Sequence, residues 1–264
     1  MISQPLRWIC VCLSAWWLTL ATMPACPAQQ AGEAIGEQSS QETVEQAAIP
    51  PAQSTYLGRS IAQTMSYHGA PWLVRANREA EERPSQVLKQ LDLKPGMVVC
   101  DLGCGNGFYT LLMAPQVAPD GKVLAVDIQP EMLHLLELRS KSEGLNNVEP
   151  VLGTLVDPHL PDGQVDLVLL VDVYHEFSHP QQMLAALRKS LSPDGLIALL
   201  EYREEDPRVP IKPLHKMSKR QILKEYRANG FKLAKQYDGL PWQHMMFFAI
   251  DPEWSAEITS PPRE

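Results

Sequence analysis

The sequence predicts an α/β domain built on a mostly parallel sheet, and three observations carry that reading. Short runs that are apolar throughout alternate with helical patterns from Met97 onward, as expected of strands covered on both faces. A glycine-rich segment follows the first of these runs directly and opens a helix. The last two apolar runs are separated only by a short turn around Gly239-Leu240-Pro241. That turn is too short for a parallel crossover, so one of the two strands runs antiparallel.

The elements follow in order. Met97-Val98-Val99-Cys100 is a buried-strand run, and Phe108 to Val117 is an apolar helix. Asp120-Gly121 turns into the strand Val123 to Val126. Pro130 opens a helix carrying Met132, Leu133, Leu135, Leu136 and Leu138, which Gly144 closes. Val148 to Leu152 and Val165 to Val171 are the third and fourth strands, and Pro180 begins a helix running to Leu191. Pro193-Asp194-Gly195 then turns into the strand Leu196 to Leu200. Ser218 with Gln221 three residues on has the form of a capping box for a helix ending at Gly230. Phe231 to Tyr237 and Met245 to Ile250 complete the sheet.

Ahead of this domain the pattern is helical. Ile61, Met65, Trp72, Leu73 and Ala76 predict two short helices broken at His68-Gly69-Ala70-Pro71, and Pro84 opens a third carrying Val87, Leu88 and Leu91. The chain begins with a different kind of segment. Arg7 precedes an apolar stretch from Trp8 to Leu20, followed by small residues and prolines through Ala28, which is the make-up of an export signal. Cleavage after Ala28, lipidation at Cys26 and retention as an anchor all stay open, although the run is short for a membrane span. Gln29 to Ser54 has almost no large apolar residue and predicts a disordered spacer. The expected organisation is therefore a signal peptide over residues 1–28, a spacer over 29–55, a helical extension or lid over 56–96, the main domain over 97–250 and a tail over 251–264. The location implied is exported, periplasmic or anchored on the outer side, with no stable membrane insertion once the leader is removed.

Composition narrows the partners. The 264 residues are 45% hydrophobic and 20% charged, with a net charge of −8. Glu33, Glu37, Glu42 and Glu45 account for part of that, and Tyr56 to Glu264 nets −5. A mildly acidic domain lacks the basic footprint of a nucleic-acid binder, so no nucleic-acid partner is expected. Of five cysteines only Cys100 and Cys104 lie in the domain. They form no disulfide framework and read as small packing residues beside a turn.

The informative segment is Asp101-Leu102-Gly103-Cys104-Gly105-Asn106-Gly107. Glycines at such a strand-to-helix turn let a ligand approach the backbone and the free N–H groups of the helix start. The second strand ends in Asp127, placed to accept ribose hydroxyls. Asp101 adds negative charge that opposes a pyrophosphate and suits a ligand bearing an ammonium and a sulfonium. The glycine spacing also departs from the dinucleotide pattern. Asp101-x-Gly103-x-Gly105-x-Gly107 resembles the first motif of class I S-adenosylmethionine-dependent methyltransferases, and the likeness spans Met97 to Leu200. From Arg59 to Phe248 the chain also resembles a group of exported bacterial proteins predicted to be methyltransferases, through Tyr-His-Glu-Phe and the later Glu-Tyr-Arg-x-Glu-Asp.

What the resemblance implies is a Rossmann-like, doubly wound, mostly parallel seven-stranded sheet with an antiparallel strand at its end, and S-adenosyl-L-methionine as cofactor. Asp101 and the backbone from Gly103 through Gly105 to Gly107 would hold the methionine part, Asp127 the ribose, and Ile128 one adenine face. The loop Gly153-Thr154-Leu155 would meet the adenine edge, with Thr154 standing where many relatives have an acid. Asp172, at the end of the fourth strand, completes the cofactor-binding set.

The stretch Val171-Asp172-Val173-Tyr174-His175-Glu176-Phe177 lies at a strand's carboxyl end, where ligands of open α/β sheets bind. His175 is the candidate base and Glu176 its orienter. In the alternative, Tyr174 and Phe177 pack and His175 only contacts the next helix. Glu201, Tyr202 and Arg203 are candidates for substrate selection, and Trp72 and Arg75 for a lid. His215 and His244 lack the close spacing of a metal site with His175 and Glu176, so no metal is assigned. No Asn-Pro-Pro-Tyr motif is present, which argues against amino-methylation of DNA or protein and for a small-molecule substrate. A non-catalytic nucleoside-binding domain and an NAD-dependent oxidoreductase are the alternatives, the second opposed by the glycine spacing and Asp101.

Overall fold

A computed structural model of the chain describes residues 49–255. The expected leader, most of the spacer and the end of the tail lie outside the described residues. Where the spacer enters them, Gln53 N–H donates to Ser178 O at 3.0 Å and the Pro50 carbonyl lies 2.7 Å from His179 Nε2. The packed chain therefore starts a few residues before position 56.

A small hairpin comes first, β1 (Thr55–Tyr56) and β2 (Arg59–Ser60), turning at Gly58. Three helices follow, α1 (Ala70–Leu73), α2 (Arg78–Glu82) and α3 (Pro84–Leu91). The main domain then alternates β3 (Val98–Leu102), α4 (Phe108–Val117), β4 (Lys122–Asp127), α5 (Pro130–Ser142) and β5 (Val148–Leu152). It continues with β6 (Val165–Val171), α6 (Pro180–Ser190), β7 (Leu191–Tyr202), α7 (Lys219–Ala228), β8 (Phe231–Tyr237) and β9 (Gln243–Ile250). The seven-stranded sheet has the order β5-β4-β3-β6-β7-β9-β8, and β9 runs antiparallel to both β7 and β8. The remaining pairings are parallel.

The continuous apolar runs are explained by burial on both faces. In β6, Val168 and Leu170 pack on one side with Leu184 and Leu187 of α6 and Ile222 and Tyr226 of α7. Leu167 and Leu169 pack on the other with Val87 of α3 and Met113 of α4. β7 and β9 repeat the alternation, with Leu199 and Phe248 on the first face and Leu200 and Phe247 on the second. Side-chain period 2 thus serves two cores at once.

Three local expectations change. Ile61 and Met65 sit on no helix; residues 61–66 form an irregular strap. Its Ala62 and Met65 N–H groups are taken by His175 O and the Glu176 carboxylate instead of by carbonyls four residues back. The capping box does not close, because Ser218 makes no side-chain cap and Gln221 turns instead to Leu57 O and Glu225. The Pro193-Asp194-Gly195 turn lies inside β7, where the register jumps from Val165↔Leu191 to Leu167↔Leu196.

The strap is anchored electrostatically. Arg59 makes two hydrogen bonds to the fully buried Glu225, at 2.7 and 2.9 Å, and Glu225 also accepts from Tyr174 Oη at 2.8 Å. Removing one partner leaves a charge buried without compensation. Glu225→Ala is expected to lower unfolding free energy by about 3–5 kcal/mol in urea titrations. Glu149→Ala, which breaks only the exposed pair with Lys122, is expected to leave it nearly unchanged. Equal small effects from both would show that the Arg59–Glu225 pair carries little.

Candidate active site

The strand order places a topological switch between β3 and β6, whose carboxyl ends open onto one crevice. After β3 the chain folds back, with Gly103 and Cys104 N–H groups donating to Val126 O at 2.8 and 3.0 Å. Gly105 and Gly107 have φ of +53° and +83°. A Cβ at Gly107 would stand 2.2 Å from Leu136 Cδ1, so this glycine serves the close packing of α5. Asp127 holds the loop from the neighbouring strand: its Oδ2 accepts from Gly105 N–H and its Oδ1 from Gln129 N–H, each at 2.9 Å.

The crevice encloses a cavity of about 720 Å³. Gly103, Gly105, Asp127, Ile128, Thr154 and Asp172 line it, as do His175 and Glu176. Asp101 and Gly107 do not. Asp101 is buried behind the loop, accepting from Thr110 Oγ1 at 2.6 Å. Thr154 Oγ1 is engaged in its own turn, accepting from Asp157 N–H at 2.9 Å. Asp172 has a φ of +52°. Its Oδ2 accepts from Gln243 Nε2 at 2.7 Å, and its Oδ1 is sealed from solvent without a partner among the described residues.

The N-terminal extension closes the cavity from above. Met65, Trp72, Arg75 and Arg78 all line it. Arg75 stacks over the Trp72 ring at 3.9 Å and pairs with Glu81 at 2.6 Å. Arg75 and Arg78 both reach the buried Glu82, which also accepts from Tyr202 Oη at 2.7 Å. Gln129 ties this extension to the sheet, accepting from Tyr67 N–H at 2.8 Å and donating to Met65 O at 2.9 Å. Nothing in the sequence pattern marked Gln129, because its partners lie more than 60 residues away.

At the other end, Tyr174–Glu176 form one 3-10 turn after β6. Tyr174 and Phe177 pack edge to face, as the structural reading of that stretch held. His175 is nonetheless polar in its engagement. Its Nδ1 lies 2.7 Å from Glu201 Oε2, its backbone N–H donates to Glu201 Oε1 at 3.1 Å, and its Nε2 lies 2.9 Å from His215 Nδ1. Glu201, fully buried at the end of β7, is therefore the orienter of His175. Glu176 stands 3.8 Å from Nε2, and its carboxylate accepts from Met65 N–H. His215 joins the cluster; His244 does not, pairing with Glu205 at 2.7 Å. Arg203 is spent on the carbonyls of Asp238, Leu240 and Gln243.

Burial sets the electrostatics. Desolvation pushes the Asp101 carboxyl up to about 6 despite its bond to Thr110, and pushes Glu176 up to about 7 against the pull of His175. Asp172 rises well above the carboxylate range through burial and the nearby Glu82 and Glu201. Burial works to lower His175, but Glu201 outweighs it and the ring is raised; His215 is lowered by partial burial and by His175. With its proton held more tightly in the fold than in the unfolded chain, Asp101 is stabilising below its unfolded value of 3.8, and that contribution is lost as pH rises through about 6. The loss amounts to about 3 kcal/mol at neutral pH. Asp101→Asn is expected to raise the melting temperature of the ligand-free protein at pH 7.5. The gain should vanish by pH 4, and a gain of equal size at both pH values would contradict this account.

The comparisons with known proteins agree with this geometry. A solved S-adenosylmethionine-dependent methyltransferase from Aquifex aeolicus superposes with a TM-score of 0.67 at 26% identity, covering 71% of this chain and 100% of that one. Nocamycin O-methyltransferase of Saccharothrix syringae is 32% identical over 43% of the chain and 41% of its own length. A demethylmenaquinone methyltransferase of Geobacillus stearothermophilus is 27% identical over 44% of the chain and 49% of its own length. The chain thus spans about two fifths to half of the length of these curated relatives. The family model described as a methyltransferase domain matches residues 93–246, more than half of the chain. The chain belongs to the methyltransferase-domain family and shares the fold of an S-adenosylmethionine-dependent methyltransferase.

Proposed function

We propose that the enzyme transfers the methyl group of S-adenosylmethionine to a small-molecule acceptor held beside His175, Glu176 and His215. One observation carries the reading: a single cavity runs from the glycine loop and Asp127 to this polar cluster. The cofactor supplies an electrophilic methyl group on a sulfonium, and transfer to an aligned nucleophile needs little beyond orientation and removal of the acceptor's proton.

The residues fit the cofactor. Gly103 and Gly105 present backbone where a side chain would stand, and Ile128 offers an apolar face. Asp127 keeps a free lone pair on each oxygen for the ribose. The buried carboxylates Asp101 and Asp172 favour a cationic amino-acid end, Asp101 acting from behind the loop. Phe177, Met183 and Ile211 line the cavity as well, and such walls suit an acceptor with an apolar body. Two relatives, named for nocamycin and demethylmenaquinone, point to the same class of acceptor. His175 and Glu176 are the groups that meet the acceptor's reacting atom, with Glu201 holding the His175 ring.

Calorimetry tests the cofactor half. S-adenosylhomocysteine should bind the wild-type protein, and Asp127→Ala should weaken binding by about 10- to 100-fold, the worth of charge-assisted hydrogen bonds. Unchanged affinity would remove Asp127 from the site. The acceptor class is tested by incubating the enzyme with methyl-labelled cofactor and a cell extract. Label recovered in an organic-soluble, low-mass fraction is the expected result. Label confined to precipitated protein or nucleic acid would overturn the small-molecule reading.

A further inference from the structure

We propose that His175, His215 and Glu176 together hold a divalent transition cation, zinc by preference, in the acceptor half of the cavity. The inference deepens the methyl-transfer reading, on which its use rests, but cation binding is detectable without turnover.

The geometry is that of a ligand triangle. His175 Nε2 and His215 Nδ1 lie 2.9 Å apart, and Glu176 Oε1 is 3.8 Å from the first and 3.9 Å from the second. The point equidistant from these three atoms is about 2.1 Å from each, within the bond lengths zinc makes to imidazole nitrogen and carboxylate oxygen. The triangle is also supported from outside. Glu201 Oε2 sits 2.7 Å from His175 Nδ1, which places the ring proton there and leaves the Nε2 lone pair facing the other two ligands. A carboxylate behind a histidine ligand is the arrangement that fixes tautomer and ring plane in metal sites. Glu176 is held in turn by Met65 N–H. All three ligands line the cavity, so the cation's remaining positions face the space for an acceptor.

Two imidazoles and one carboxylate favour first-row transition ions over magnesium or calcium, which take oxygen ligands. A cation there would bind an acceptor hydroxyl and lower its pKa. The proton leaves to solvent, the oxygen forms the new bond to the methyl carbon, and the carbon–sulfur bond breaks with its electron pair going to sulfur. In that arrangement His175 is a ligand rather than a free base.

The test uses the untagged full chain, stripped with a chelator and titrated with Co²⁺. Visible d–d absorption saturating at one cobalt per chain is expected, and His215→Ala should abolish it. Glu201→Gln, which keeps all three ligands but loosens the His175 ring, should weaken cobalt binding by about 10- to 100-fold. S-adenosylhomocysteine binding on the same samples reports the fold and the cofactor half separately. If His215→Ala fails that control, Glu176→Gln takes its place with the same criteria. No cobalt bands in a wild-type chain that binds S-adenosylhomocysteine, or bands unchanged by the ligand substitutions, would overturn the proposal. Cobalt binding without S-adenosylhomocysteine binding would instead leave the cation site standing and sink the methyl-transfer reading.

Discussion

The contact on which the site depends is the one between Glu201 and His175. Both are buried, and a buried carboxylate is tolerable only when its lone pairs are taken. Glu201 accepts from the His175 backbone N–H and lies within hydrogen-bond distance of its ring, joining the end of β7 to the turn after β6. That turn is gripped from the far side as well. Arg59 donates to the His175 carbonyl at 2.9 Å, and Tyr174 donates to Glu225, the partner of Arg59. Residues 174–176 are thus fixed by β7, by α7 and by the N-terminal hairpin together. Fully satisfied buried networks of this kind rigidify what they connect, and here they fix the polar wall of the cavity.

The glycine-loop half of the cavity follows the opposite logic. Asp101, Asp127 and Asp172 gather at the carboxyl ends of three neighbouring strands, and burial raises the pKa of each. The ligand-free fold is less stable for holding them. Asp172 adds a left-handed backbone and a sealed oxygen without a partner, features that collect where a ligand completes the structure. A cationic ligand bound there would offset what the protein alone leaves unbalanced. Stability given up at this end is supplied by the two apolar cores that sandwich the sheet.

Much of this was legible in the sequence, for physical reasons. β6 is buried on both faces and almost wholly apolar, so Val165–Val171 could be bounded to the residue. The edge strands Val148–Leu152 and Phe231–Tyr237, half-exposed and carrying Glu149, Lys232 and Lys235, were bounded instead by the turns on either side. Proline and glycine punctuated Pro130–Ser142 and Pro180–Ser190. The glycine loop and Asp127 were readable because their spacing is local to one β-α-β unit. The strap over 61–66 was not, since apolar residues four apart fit a helix as well as a segment whose hydrogen bonds go elsewhere. Glu201 was misread for a related reason. It opens a charged run whose next acids are exposed, and only the fold buries it against a histidine 26 residues earlier. His215, 40 residues from His175, carried no signal that set it apart from His244.

The central claim is that the methyl group to be transferred sits between the glycine loop and the histidine cluster. S-adenosylmethionine carrying a ¹³C-labelled methyl group, bound to the protein and observed by isotope-filtered nuclear Overhauser spectroscopy, tests it most directly. The account predicts cross-peaks from the methyl protons to the ring protons of His175 or His215, assigned by their loss in the corresponding alanine variants. A bound cofactor whose methyl group contacts neither ring would contradict it.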